Sequence, residues 1–486
     1  MLRKLFNKDI LILGLISLVF AYGVNVKDIY ISIGCILLLL ALNVVFSFKK
    51  IKERIVFLIF QITFFTFLIG RLLIYYLFPD LFIFAFVFSD YIMMHILMSL
   101  FLSLIFVRLG YAISETANYK GKIKEVDYRS RYNMSVRKIA RILMYLTLLP
   151  RLIIVAEKAI HVGNLGYEAY YTDFASDIPF IILKLGFLYE PLTYLFLATM
   201  PPKKECKLPL FMFFLVGCFS LSYGQRNGFI LNSIFVLLYL FIRNQIYSGG
   251  VVWFKRRYAL LVIAMLPFLF TFLLAFGSIR SGEGFHSSSM SNNTLLFFFS
   301  QGNSASLIGL AQKYKDSIPE NKFYSFGPVI SFLEENAIAK AFFNVPQYQK
   351  MSPEQALNGR AFSFTISYLQ NPAFYMRGGA LGSCYIAELW VDFGYIGVAL
   401  GSLILGILMA KFIPYCRYNI WLTTIAFSGV MAIIYAPRAE FSGFIHITLS
   451  FVNLLTFAFI HLLGKNSLRL PPQILEIKNS KKLRRT

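Results

Sequence analysis

About twelve apolar stretches follow one another along the chain, each near the roughly 20 residues that a helix needs to cross a hydrocarbon core. They centre near Leu15, Leu38, Phe64, Leu100, Leu146, Leu188, Leu215, Phe235, Pro267, Leu403, Ala426 and Leu454. Inside lipid every backbone N–H and C=O must be bonded within the protein, so such a chain folds as an all-α, polytopic membrane bundle. With 58% hydrophobic and only 15% charged residues, no soluble fold is open to it. The charged start and apolar core of the first segment look like a secretory leader, but the next span follows almost at once and the segment reads as a retained first helix.

The formal charge of +23 does not point to nucleic acid, because the basic residues sit in short runs between apolar segments. Lys49, Lys50, Lys52 and Arg54, then Lys120 to Lys138, then Lys203, Lys204 and Lys207, then Lys255 to Arg257, then Lys411 and Arg417 fall after every second span. Such runs mark the cytoplasmic side, which also takes both termini. The five cysteines form no close pair, so neither a disulfide framework nor a zinc site is indicated.

The chain therefore divides into nine spans over 1–277, a long periplasmic loop over 278–393, three spans over 394–464 and a basic cytoplasmic tail over 465–486. Within the long loop, Leu295 to Ile308 and Val329 to Phe342 have the helical spacing of apolar residues expected of helices lying on the membrane interface.

Arg226, Arg280, Arg360, Arg377 and Arg438 fall on the outer face, where topology otherwise keeps cations few. A guanidinium grips phosphate through paired hydrogen bonds and stays charged at any pH, which suits a lipid-linked pyrophosphate projecting from the bilayer. The bland account of each is an arginine snorkelling from a helix end. Gly224 and Gly228 flank Arg226, Gly282 and Gly284 follow Arg280, and Gly378 and Gly379 follow Arg377; they either mark turns or let backbone amides approach an anion. Glu388 and Asp392 are four residues apart and share one helical face, where a carboxylate can take a proton from a sugar hydroxyl or hold the loop to an arginine. His446, in the last span, is a further acid–base candidate, and His286 reads as solvated. Tyr170, Tyr171 and Tyr385, with Tyr324, Trp390 and Tyr395, offer rings on which sugars stack, or simply an interfacial aromatic belt. No metal-binding or nucleotide-cradling motif appears.

The segments GNLGYEAYYTDF, GQRNG, GSIRSG and RGGALGSCYIAELWVDFGYIGVALGSLILGIL resemble the bacterial O-antigen polymerases, the Wzy-type polymerases of oligosaccharide repeat units. The resemblance implies a Gram-negative inner-membrane enzyme with a C-type, multispanning glycosyltransferase fold. Such an enzyme moves a growing glycan from undecaprenyl pyrophosphate onto the next lipid-linked unit, without cofactor, metal or nucleotide sugar, alongside a chain-length regulator. It further implies pyrophosphate binding by Arg226, Arg280 and Arg377, followed by Arg360 and Arg438. The expected transfer inverts the anomeric carbon, with Glu388, His446 or Asp392 as the proton acceptor. Competing readings are a flippase or transporter of the same lipid-linked sugars, an O-antigen ligase, which in related enzymes uses an outer-loop histidine, and a non-enzymatic scaffold.

Overall fold

A computed structural model of the chain describes residues 2–78, 88–118, 126–246, 252–280, 289–334 and 346–466, with side chains except at 2–10, 116–118 and 279–280. Among these residues every regular element is a helix. In chain order they are α1 Leu2–Asn25, α2 Ile29–Lys49, α3 Ile51–Phe64, α4 Gly70–Leu77, α5 Asp90–Asn118, α6 Arg131–Leu165, α7 Ala169–Thr172, α8 Phe180–Phe187, α9 Tyr189–Ala198, α10 Lys203–Phe219, α11 Arg226–Ile246 and α12 Arg256–Arg280. They continue as α13 Met290–Gln301, α14 Ser304–Lys313, α15 Gly327–Glu334, α16 Pro353–Asn358, α17 Phe362–Gln370, α18 Pro372–Met376, α19 Tyr385–Tyr418, α20 Ile420–Tyr435, α21 Gly443–Leu449 and α22 Phe451–Asn466. Ten described helices are long and apolar enough to cross a membrane, or 11 with the bent pair α21 and α22 taken as one span, and Leu11–Asn25 is a shorter apolar helix. A membrane bundle of about a dozen crossings is what the apolar periodicity predicts.

The spine of the bundle is the crossing of α5 and α19. A side chain at Gly110 would overlap the Leu403 carbonyl and one at Gly406 the Val107 carbonyl, so the two backbones touch through small residues, as lipid-embedded helices do. At the end rich in basic runs, arginines are held by protein acceptors. Arg54 forms a fork with Glu115 at 2.6 and 3.1 Å, and Arg137 and Arg243 bond the carbonyls exposed where α9 ends, at Thr199 and Met200. Arg151 pairs with Glu190 at 2.5 Å, which relieves the cost of both charges within their spans.

Two departures from the sequence expectation shape the opposite, loop-bearing end. First, α19 starts at Tyr385, and its backbone breaks at Gly394, whose φ of 62° is reached without strain only by glycine. Leu389 lies against Gly397 and Gly401, so 385–393 folds back along the span as a half-helix rather than preceding it in line. Its first residue sits deep, the Tyr385 hydroxyl bonding Ser103 of α5, which itself bonds Ser402 at 3.0 Å. Second, Leu295 to Ile308 is not one interfacial helix. The chain breaks between α13 and α14, where Gly302 closes onto the backbone of Arg71, and Ser304 to Ala311 are buried against α5. Of Val329 to Phe342, residues to Glu334 are helical and the remainder lies outside the described residues.

Candidate functional site

The long loop is seated on the bundle by carboxylates and glycines. Asp392, at the end of the half-helix, accepts from the Tyr324 N–H at 3.0 Å, the Ser325 N–H at 2.7 Å and the Ser325 hydroxyl at 2.6 Å. A carboxylate that accepts from three donors holds the loop in place, the second of the two roles that the sequence leaves open for it. Glu388 is fully buried. Its oxygens take the Ser383 hydroxyl at 2.5 Å and the Phe441 N–H at 2.9 Å, tying the half-helix to the connection after Arg438. In this arrangement Glu388 clasps the half-helix to that connection. Tyr385 is also fully buried, so its ring packs in the core and cannot carry a sugar. Of the three acid–base candidates only His446 is exposed; it sits against the Phe332 ring at 5.3 Å.

Arg226 and Arg438 come together although 212 residues separate them (438 minus 226). Tyr435, three residues before Arg438, donates to the side chain of Asn227, the residue after Arg226, at 2.9 Å, and both guanidinium charges act on its phenol. Arg226 donates to the Leu273 carbonyl at 2.9 Å and lies over Gly277, one turn from the end of α12, where Arg280 stands. Arg438 donates to the Gln301 carbonyl at 3.0 Å, and its guanidinium lies 5.4 Å from the Phe67 ring centre. The pairing of Arg438 with Glu440 that adjacency suggests is not formed among the described residues. Arg71 joins this end, bonding Asn303 at 3.1 Å. The side chain of Arg280, Gly282, Gly284 and His286 lie outside the described residues.

The other two arginines stand apart. Arg360 grips Glu334 with two bonds of 2.7 and 3.1 Å and the Lys322 carbonyl with a third at 3.1 Å, and the Glu334 bonds hold its guanidinium above the usual arginine range. It braces the loop. Arg377 is exposed and makes no hydrogen bond or ion pair among the described residues. Beside it Gly378, with φ 97°, passes so near Glu168 that a Cβ would lie 2.7 Å from the carbonyl oxygen. This contact docks the loop on the α7 region, where Tyr171 packs with Met351 and Tyr375 and Lys350 bonds the Phe174 carbonyl at 2.5 Å. Burial pushes the Tyr375 phenol up to about 12 and Tyr171 higher still, so both stay neutral. Tyr170 is half-buried, with the Lys158 ammonium 5.5 Å from its ring centre.

A cavity of about 640 Å³ opens between the start of α5, the 312–324 segment and the Gly394 break. Sequence reasoning missed His95 behind it. Its Nδ1 is 2.8 Å from the Tyr395 hydroxyl and its ring is 4.4 Å from that of Trp390. A lone histidine in an apolar span carries no signal of partners about three hundred residues away.

A family model described as O-antigen polysaccharide polymerase Wzy matches residues 9–468, nearly the whole chain. No curated protein and no solved structure is significantly similar to it.

Proposed function

The chain belongs to the O-antigen polysaccharide polymerase Wzy family, and from that premise we propose that it transfers a growing glycan from undecaprenyl pyrophosphate to the non-reducing end of the next lipid-linked repeat unit, at the periplasmic end of the bundle. As a family member it is a multi-pass inner-membrane polymerase of O-antigen repeat units, of glycosyltransferase type. The observation that carries the finer reading is the meeting of Arg226 and Arg438 at Tyr435, beside the end of α12 that bears Arg280.

A guanidinium has five N–H donors, and Arg438 spends few of them on Gln301 and Tyr435. The remainder can hold diphosphate oxygens and stabilise the charge that builds as the carrier leaves. Arg377, exposed beside the α7 region, is a second place where the diphosphate or its sugar can be met, whereas Arg360 serves the loop through Glu334. The acceptor hydroxyl attacks the anomeric carbon and the bond to pyrophosphate breaks in the same displacement, giving inversion. Its proton passes to one of the set Glu388, His446 and Asp392, of which His446 is the exposed one.

The test is purified protein in detergent with a lipid-linked repeat unit, chelator and no nucleotide sugar. A ladder of longer lipid-linked products is expected. Substrate crossing liposomes without a ladder makes the chain a transporter, and a single addition onto a lipid A core makes it a ligase.

A further inference from the structure

We propose that the cavity beside Gly394 is a saccharide subsite: it holds the sugar rings of the repeat unit by stacking, separately from the arginines that take the diphosphate. This rests on the polymerase reading and adds to it the place where the glycan is gripped.

The lining has the chemistry of a sugar site. Tyr91, Trp390, Tyr395 and Phe323 bring aromatic faces to a space of about 640 Å³, which falls within the range of ligand pockets. Pyranose C–H faces lie on such rings, and the hydroxyls around them want planar amides and mixed charges. Gln312, Asn321, Lys315 and Glu320 supply these. Two lysines, Lys315 and Lys322, and two carboxylates, Glu320 and Asp392, balance in the wall, so the space has no net positive charge to single out a diphosphate.

The walls are fixed from behind, independently of their composition. His95 bonds the Tyr395 hydroxyl and packs on Trp390, and Gln312 donates to the Tyr91 hydroxyl at 3.2 Å. The 321–323 wall is strained: Asn321 and Phe323 have φ of 58° and 51°, in the left-handed region that side chains avoid. That conformation is held by Asp392 on Tyr324 and Ser325 and by Arg360 on the Lys322 carbonyl. Strain maintained by a surrounding network is what a pre-organised ligand wall requires. Burial pushes the Tyr324 phenol up to about 12, so this wall presents no phenolate.

The chain has three tryptophans. Trp253 and Trp421 lie at the basic end, beside Arg243 and Tyr132, so Trp253→Phe with Trp421→Phe leaves Trp390 as the reporter. Titration of that full-length protein with the free repeat-unit oligosaccharide, lacking lipid and pyrophosphate, should change Trp390 emission saturably. Tyr91→Ala and Tyr395→Ala should each weaken binding by about three- to tenfold. The same variants in the polymerisation assay should raise KM for the repeat unit at unchanged kcat. Tyr395→Phe keeps the ring but gives up the hydroxyl that His95 bonds, so its binding should fall between that of the parent and that of Tyr395→Ala. No saturable change, or equal affinity in Tyr91→Ala and Tyr395→Ala, overturns the subsite. A ladder formed without any emission change removes the subsite and leaves the polymerase standing.

Discussion

Asp392 accepts two hydrogen bonds from one residue, Ser325, through both its N–H and its hydroxyl, 67 positions away in the chain. Neutralising it in Asp392→Asn turns charge-assisted bonds into ordinary ones and sets an amide N–H₂ against a donor. A loss of about 1.5–3 kcal/mol of stability is expected, read as a lower midpoint of thermal unfolding in detergent. Unchanged stability with abolished turnover would instead restore Asp392 as an acid–base group.

Glu388→Gln is the converse case. The carboxylate meets only neutral donors, Ser383 and Phe441, so the amide keeps the shape and one acceptor. Polymerisation should stay within about tenfold of the parent, whereas removing a general base costs about 10²–10⁴. Glu388→Ala leaves a hydroxyl and an N–H buried without an acceptor and should cost about 1–3 kcal/mol of stability.

The legible parts of this fold were those written in runs. Apolar length marks the spans, and their alternation places Arg226 and Arg438 at one end of the bundle. The half-helix was hidden because hydropathy is continuous across AELWVDFGYIGVALG: a residue count cannot tell a straight entry from one doubled back at Gly394. Tyr385 misled for a related reason, since an aromatic residue near a boundary reads alike whether it faces sugar or, as here, Ser103. Arg360 sat among arginines of similar context, and only the fold brings Glu334 to it from 26 residues away.

Arg438→Lys keeps the charge but gives up the planar fork that bonds Gln301 and leaves further donors free. Polymerisation should fall about tenfold to a hundredfold with normal membrane insertion. Because the Tyr435–Asn227 bond ties the turn of Arg438 to that of Arg226, the loss in Arg226→Lys with Arg438→Lys should be less than the product of the single losses. Strictly multiplicative effects, or full activity in Arg438→Lys, would separate the two residues and sink the shared clamp.

Gly378→Ala probes the docking of the long loop without touching an ionisable group. At φ 97° an L-residue pays about 1–2 kcal/mol of backbone strain, and the added Cβ would meet the Glu168 carbonyl. The loop should lift from the α7 region, taking with it the contact of Tyr171 with Met351 and Tyr375. The measurement is limited proteolysis of purified protein, with faster cleavage expected between 346 and 376, the stretch that docks there. Arg377→Ala, at an exposed side chain making no hydrogen bond or ion pair among the described residues, should leave that cleavage rate unchanged while lowering turnover. Equal protease sensitivity in both variants would assign Arg377 to the docking surface and take it out of the anion site.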